Sequence, residues 1–296
     1  VVEVQQWKRD VAIGCLAAPD PRQAVGATFR ERSLTNVSFR KPPIDDLPIL
    51  PESLPISLRQ ASPFPDALTH KPSLAHVDTW IFDLDNTLYP HDAKLWPQVD
   101  LRITLFLVEL CGLDGISARA LQKYYYHRYG TTLRGLMEEY GIDPEEFLEF
   151  AHSIDHSSLL PNPLLGEAIA ALPGRKLILT NGSRAHAEAV ALKLGIREHF
   201  EDVFDIVASG FVPKPEQSTY ERFLDRHNVD PAGAVMFEDI EKNLVVPHAL
   251  GMATVLVLPK TTDPFREAEE QAPMIAPHID FMTDDLADFL GRMRDH

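Results

Sequence analysis

The sequence predicts an α/β fold: a doubly wound parallel sheet, a helical segment inserted after its first strand, and a proline-rich extension ahead of it. Three observations carry this reading. Short apolar runs of strand length recur from Thr79 onward, each closing on acidic or turn residues. Segments with helical apolar spacing alternate with them, as the crossovers of a parallel sheet require. The interval from about Pro90 to Leu172 breaks the alternation, with helical patterns and no strand-like run.

Residues 1–77 hold 10 of the 24 prolines and show no sustained period, so they are expected to be an irregular N-terminal extension, a short helix near Val1 to Ala18 aside. TWIFDL (Thr79 to Leu84) is continuously apolar up to its acidic end, the pattern of a strand covered on both faces. Helices follow over Arg102 to Gly112, Ser117 to Gly130 and Pro144 to Ile154, with Gly112, Gly130 and Gly141 as stops. The later strands are KLILT (Lys176 to Thr180), VFDIVAS (Val203 to Ser209), AVMFED (Ala234 to Asp239) and ATVLVL (Ala253 to Leu258). Helices at Ala185 to Leu194, Gln217 to His227 and Glu241 to Leu250 separate them. The expected division is therefore a Rossmann-like core of residues 78–89 and 173–296 and a helical cap of residues 90–172. The cap would lie over the carboxyl ends of the strands, where such folds bind ligands.

Composition narrows the function. The net charge is −16, and from Asp78 onward 19 Lys and Arg face 36 Asp and Glu, which disfavours a nucleic-acid polymer as partner. A small anionic substrate entering that field calls for local cations or a metal. No window reaches the 18 or more apolar residues of a membrane span, so no membrane partner is expected. VAIGCLAA (Val11 to Ala18) is too short and too close to Asp10 for a secretory signal. Cys15 and Cys111 fit no metal or disulfide spacing, and a cytoplasmic setting is the default. Oligomeric state is left open.

The chemistry gathers at strand ends. Asp83 and Asp85 close the first strand, where carboxylates are costly without a metal or partners. One can attack phosphorus while the other handles the leaving-group proton, and Thr87 can steady the loop through its hydroxyl. Thr180 and Asn181, Lys214 between two prolines, and Glu238 with Asp239 end the later strands or loops. A hydroxyl, a cation and further acids are the groups that a phosphate and Mg²⁺ site needs. Singly each fits a cap, a solvated loop or a turn; their shared placement is the signal.

In order, FDLDNT, TNGS, PKP and FEDIEKN resemble the four motifs of the haloacid dehalogenase superfamily, over residues from about Ala75 to Phe289. The resemblance implies an Mg²⁺-dependent phosphomonoester hydrolase in which Asp83 is nucleophile and metal ligand. It makes Asp85 the general acid and base whose carbonyl also meets the metal. Thr180 and Asn181 become phosphate-binding, Lys214 the cation beside the phosphoaspartate, and Asp239 a metal ligand assisted by Glu238. FDLDNTLYP and the segment YYHRYGTTLRGLMEEYGIDPEEFLEF are similar to the pyrimidine 5′-nucleotidase subgroup. That implies a pyrimidine nucleoside monophosphate as substrate. Asn243 departs from the pattern, standing where many members carry another acid.

Cap residues proposed to touch substrate are Tyr124, Tyr125, Tyr126, His127, Arg128 and Arg134, with Tyr125, Arg128 and Arg134 singled out; three consecutive tyrosines also simply cover one helix turn. His152 and His156, at i and i+4, are expected to be packing or surface histidines and not metal ligands. Phosphoglycolate, a sugar phosphate or a phosphomutase reaction suit the same core, and a noncatalytic phosphometabolite-binding protein is the reading of a different class.

Overall fold

The computed structural model describes residues 73–260 and 276–293. The expectations placed on residues 1–72, including Cys15 and the possible first helix, lie outside them. Six parallel strands run β1 (Thr79–Phe82), β2 (Arg175–Leu179), β3 (Asp202–Phe204), β4 (Ala234–Glu238), β5 (Ala253–Val257) and β6 (Phe281–Thr283). Their spatial order is β3-β2-β1-β4-β5-β6. The winding thus reverses between β1 and β4, which makes their carboxyl ends the topological switch point of a doubly wound, Rossmann-like sheet.

All four residues of β1 are buried, and they divide between two layers. Trp80 and Phe82 join the cluster of Val235, Phe237, Val190 and Phe289, while Ile81 joins Leu177, Met236 and Phe223 on the other face. That double burial is why the strand reads as one apolar run. Phe82 pairs in register with Phe237 and their rings stack at 4.6 Å, so the chains leaving β1 and β4 emerge side by side.

The helices between β1 and β2 are α1 (Trp96–Cys111), α2 (Gly115–Tyr129), α3 (Thr132–Tyr140), α4 (Pro144–His152) and α5 (Pro163–Ala171). Gly112, Gly130 and Gly141 end α1, α2 and α3 in the left-handed conformation, and Asp114, Thr131 and Asp143 cap the starts of α2, α3 and α4 with side-chain oxygens. Helices α1 to α4 bury Phe106, Leu107, Tyr125, Leu136 and Phe147 in one apolar cluster, which Ile206 joins from the loop after β3. α5 instead sends Leu165, Ala168 and Ile169 into the cluster beneath the sheet. Leu74 and Val77, ahead of β1, pack into that same cluster.

After β2 come α6 (Arg184–Leu194), α7 (Gln217–His227), α8 (Val245–Ala249) and α9 (Leu286–Arg292). Two expectations shift, and β6 is a strand that was not expected. VFDIVAS forms a strand only to Phe204, because the Asp205 carboxylate accepts hydrogen bonds from the backbone of Arg184 and Ala208 and turns the chain. The helix expected over Glu241 to Leu250 is a 3₁₀ turn, Glu241–Leu244, followed by the five-residue α8, which contains Pro247. β6 has three residues, too few for a period to show.

Candidate active site

The backbone N–H of Asp83 donates to the carbonyl of Phe237 at 2.9 Å, which sets the first residue beyond β1 against the end of β4. Lys214 reaches this point from the loop before α7. Its Nζ lies 2.7 Å from Asp83 Oδ1, 2.7 Å from Glu238 Oε1 and 2.9 Å from the carbonyl of Leu179, so all three ammonium hydrogens have acceptors. Lys214 is 2% exposed, a burial an ammonium tolerates only when paired. Burial alone would lower its pKa, but the carboxylates of Asp83 and Glu238 outweigh that and raise it. Burial, with Glu238 and Asp85 nearby, raises the pKa of Asp83 against the opposing pull of Lys214.

Two side-chain amides hold this arrangement. Asn181 grips the backbone of Lys214 at both ends, accepting from its N–H at 2.8 Å and donating to its carbonyl at 3.3 Å. Asn243 donates to Glu238 Oε1 at 2.7 Å, and the backbone N–H of Ile240 donates to Oε2 at 2.8 Å. The amide at position 243 is therefore a partner that an acid there could not be without protonating.

Asp85 has different surroundings. Tyr89 Oη donates to its Oδ1 at 2.6 Å and His186 Nε2 meets the same oxygen at 2.8 Å. Burial would raise the pKa of Asp85, yet His186 and Tyr89 bring it down to about 2. Asn86 takes a positive φ of 62°, a conformation Asn adopts more readily than most residues, and so turns the chain between the two acids and α1. Thr87 does not steady the loop as expected: its hydroxyl is buried without a protein partner, and backbone bonds from Thr87 and Leu88 to the carbonyl of Leu84 hold the turn. Across the cleft, Thr180 Oγ1 accepts from the N–H of Gly182 at 2.9 Å. That leaves its hydroxyl hydrogen for another acceptor.

A single cavity is lined by Asp83, Asp85, Thr180, Asn181, Lys214, Glu238 and Asp239 at its floor and by cap residues above. The cap wall mixes apolar residues, among them Trp96, Val99, Ile103, Leu133, Phe147 and Leu148, with polar ones: Asp100, Gln122, Lys123, Tyr126, Thr131, Thr132 and His152. The three substrate-contact residues singled out from the sequence do not line it. Tyr125 is 1% exposed, inside the cap, with its hydroxyl on Glu139. Arg128 lies over the rings of Tyr124 and Tyr129 on the outer face. Arg134 faces Glu216 at 4.0 Å. Tyr126, one helical step of about 100° from Tyr125, is the tyrosine that reaches the cavity, and Lys242 meets its hydroxyl at 2.8 Å.

A family description, haloacid dehalogenase-like hydrolase, matches residues 77–247, more than half of the chain, and takes in all four strand-end acids with Lys214. The chain belongs to the haloacid dehalogenase-like hydrolases. It is also similar to phosphate metabolism protein 8 of Saccharomyces cerevisiae, 27% identical over 197 residues. The match spans 60% of this chain and 61% of the yeast protein's length. Among solved structures, an L-2-haloacid dehalogenase of Xanthobacter autotrophicus aligns over 74% of this chain and 98% of its own at 17% identity and a TM-score of 0.44. The magnesium-bound hydrolase YfnB of Bacillus subtilis aligns over 74% and 99% at 14% identity and 0.46.

In this haloacid dehalogenase-like site the donor set suits a hard cation. Asp83, Glu238 and Asp239 each bring a carboxylate oxygen within 4.8 Å of the others, all three residues buried. The carbonyl oxygen of the Asn243 side chain, on the same cavity, is buried with no protein partner. Oxygen-only ligands and an excess of negative charge favour Mg²⁺ over softer metals. No helix among the described residues is long and apolar enough to cross a membrane.

Proposed function

We propose that the protein is an Mg²⁺-dependent phosphomonoester hydrolase that works through an aspartyl phosphate on Asp83. The observation that carries the reading is the pairing of Asp83 Oδ1 with Lys214 Nζ at 2.7 Å, beside an independently held second acid, Asp85, on one cavity. An Asp that only balanced a buried lysine would need no second acid with its own donors.

In the first step an Asp83 oxygen bonds to phosphorus as the bond from phosphorus to the substrate alcohol breaks. Asp85, ionised in the free site, is favoured in its protonated form once the phosphate dianion lies beside it, and from that form it supplies the proton that the departing oxygen takes. In the second step a water oxygen bonds to phosphorus, its proton goes to Asp85, and Asp83 leaves as a carboxylate. Lys214 offsets charge beside the phosphoryl group, and the hydroxyl of Thr180 donates to one of its oxygens. Asp83, Asp239 and the main-chain carbonyl of Asp85 would hold Mg²⁺, which when bound supplies charge neutralisation and orientation at the phosphoryl oxygens. Both Glu238 oxygens already accept protein donors, so its part is to seat Lys214 and act on the metal indirectly.

For substrate we propose the pyrimidine nucleoside 5′-monophosphates, on the resemblance of the cap segment and the presence of aromatic rings on the cavity wall, Tyr126 among them, beside Lys123 and Lys242. The yeast relative's name, phosphate metabolism protein 8, agrees with phosphoryl chemistry. The test is a panel of UMP, CMP, AMP, GMP, phosphoglycolate and sugar phosphates with and without Mg²⁺. UMP or CMP should show the highest kcat/KM, and chelation should abolish turnover. Better turnover of a purine nucleotide or phosphoglycolate removes the pyrimidine assignment alone, whereas activity untouched by chelation removes the metal assignment.

A further inference from the structure

Both donors to Asp85 arrive at one oxygen. Tyr89 Oη and His186 Nε2 meet Oδ1, at 2.6 and 2.8 Å. A carboxylate only accepts, so Nε2 of His186 carries its ring hydrogen. Oδ2 borders the Thr180 to Gly182 turn: a Cβ at Gly182 would stand 3.6 Å from it and 3.3 Å from Thr180 Oγ1. Asp85, Thr180 and Gly182 all line the catalytic cavity.

The His186 side chain is fully buried, and its position is fixed from two directions. Its backbone N–H donates to Ser183 Oγ, the cap of α6. Its ring stacks on His152 of α4 with centroids 4.6 Å apart and planes at 12°, and His152 Nδ1 pairs with Ser183 Oγ at 3.0 Å. A cap helix and a core helix therefore meet through the ring that holds Asp85.

We propose that His186, together with Tyr89, is a positioning residue for Asp85: the two donors occupy Oδ1 and leave Oδ2 as the oxygen that exchanges the proton with substrate and water. His152 of the cap keeps the His186 ring in the plane that this requires. The inference rests on the phosphatase reading above. It adds that the orientation of Asp85, and not only its presence, sets the rate of the steps that move a proton. An alkyl alcohol needs that proton to leave, whereas p-nitrophenolate leaves without it. Hydrolysis of the aspartyl phosphate needs Asp85 whichever substrate formed it.

Rapid-quench measurement of phosphoenzyme formation and decay, with Mg²⁺, tests this. The substrates are p-nitrophenyl phosphate and the alkyl phosphate that the panel shows to be turned over best. His186→Phe keeps a stacking ring and removes the donor; Tyr89→Phe deletes one oxygen and leaves the packing intact. In both, phosphorylation by p-nitrophenyl phosphate should stay within about threefold of the native rate. Phosphorylation by the alkyl phosphate should fall about 10- to 100-fold, with KM little changed, and decay should slow so that phosphoenzyme accumulates. His186→Gln, which can place an amide N–H near the position of Nε2, should recover most of the loss. Equal losses with both substrates, or no rescue by Gln while Tyr89→Phe behaves as native, overturn the inference. Absence of any phosphoenzyme in the native protein overturns the phosphatase reading and this inference with it, a result distinct from the other two.

Discussion

Lys214 is the residue on which the site's charge balance turns. It is buried between Asp83 and Glu238, so replacing it by Met leaves two carboxylates facing each other without a cation. Asp83, whose pKa burial already raises against the pull of Lys214, would then hold its proton more tightly in the folded state than in the unfolded chain. A folded pKa raised above the unfolded value gives stability that is present at low pH and lost as pH rises through the folded pKa. Lys214→Met should thus cost about 3 kcal/mol near neutrality, less at pH 5, and abolish turnover; urea denaturation of the metal-free protein at several pH values measures it. His152 has the opposite sign. Burial first, then the neighbouring His186, hold its pKa down to about 3 from the usual 6.5. The unfolded chain takes up that proton as pH falls below about 6.5 and the folded chain does not, so acid favours unfolding. His152→Phe keeps the ring stack and removes the effect. Between pH 7 and 5 its stability should fall less steeply than that of the native protein, by up to about 1.4 kcal/mol per unit, and parallel slopes would contradict this. Sequence motifs led to Asp83, Asp85, Thr180, Asn181, Lys214, Glu238 and Asp239 because one fold feature, the strand end, collects them. His186 was missed, although a histidine three residues after the cap Ser183 sits on the first turn of a helix aimed at the cleft. Tyr125 and Tyr126 could not be separated by composition, since only the packing of α2 on α3 decides which tyrosine turns inward.

At the scale of elements, strands whose two faces are both covered were legible, and short or polar-ended ones were not. β1, β2, β4 and β5 read as apolar runs, whereas the run VFDIVAS extends well past the end of β3 and β6 carries no such run. The cap helices were legible through their glycine stops, but α3 was not, because its nine residues include only a few apolar positions. Its packing depends on a close approach. A Cβ at Gly135 would lie 2.6 to 2.8 Å from the ring and Cβ of Tyr125, atoms already enclosed by the cap cluster. Gly135→Ala should therefore destabilise the cap by about 1 to 3 kcal/mol despite the better helix propensity of Ala. Hydrogen exchange should show the loss in α2 and α3 and leave the sheet protected. Unchanged protection in α2 and α3 would mean that the cap repacks freely. Tyr126 and Lys242 join cap to core at the cavity rim, with Lys242 Nζ 4.4 Å from the ring centre, so a weakened cap should raise KM before it lowers kcat.

For the molecule as a whole, a net charge of −16 means that the phosphate dianion of the proposed reaction would need Lys214, the cap lysines and a bound cation to enter. The fold class was legible because alternation of strand and helix patterns survives over the whole described core. The boundary of its extension was less so, since Leu74 and Val77 are buried in the sheet-side cluster ahead of β1. We propose that a chain beginning at Ser73 keeps the fold and the activity, and that one beginning at Asp78 loses several kcal/mol with those two side chains; thermal unfolding of the two truncations decides this. The central claim concerns the covalent state of the chain during turnover. Protein quenched in acid within a single turnover, treated with borohydride and digested, should show homoserine in place of Asp83 by mass spectrometry. Asp83→Asn, checked for deamidation, should show none and turn over nothing. Substrate hydrolysed by the native protein with Asp83 unmodified at every quench time, or a folded Asp83→Asn protein that remains substantially active, would contradict the account.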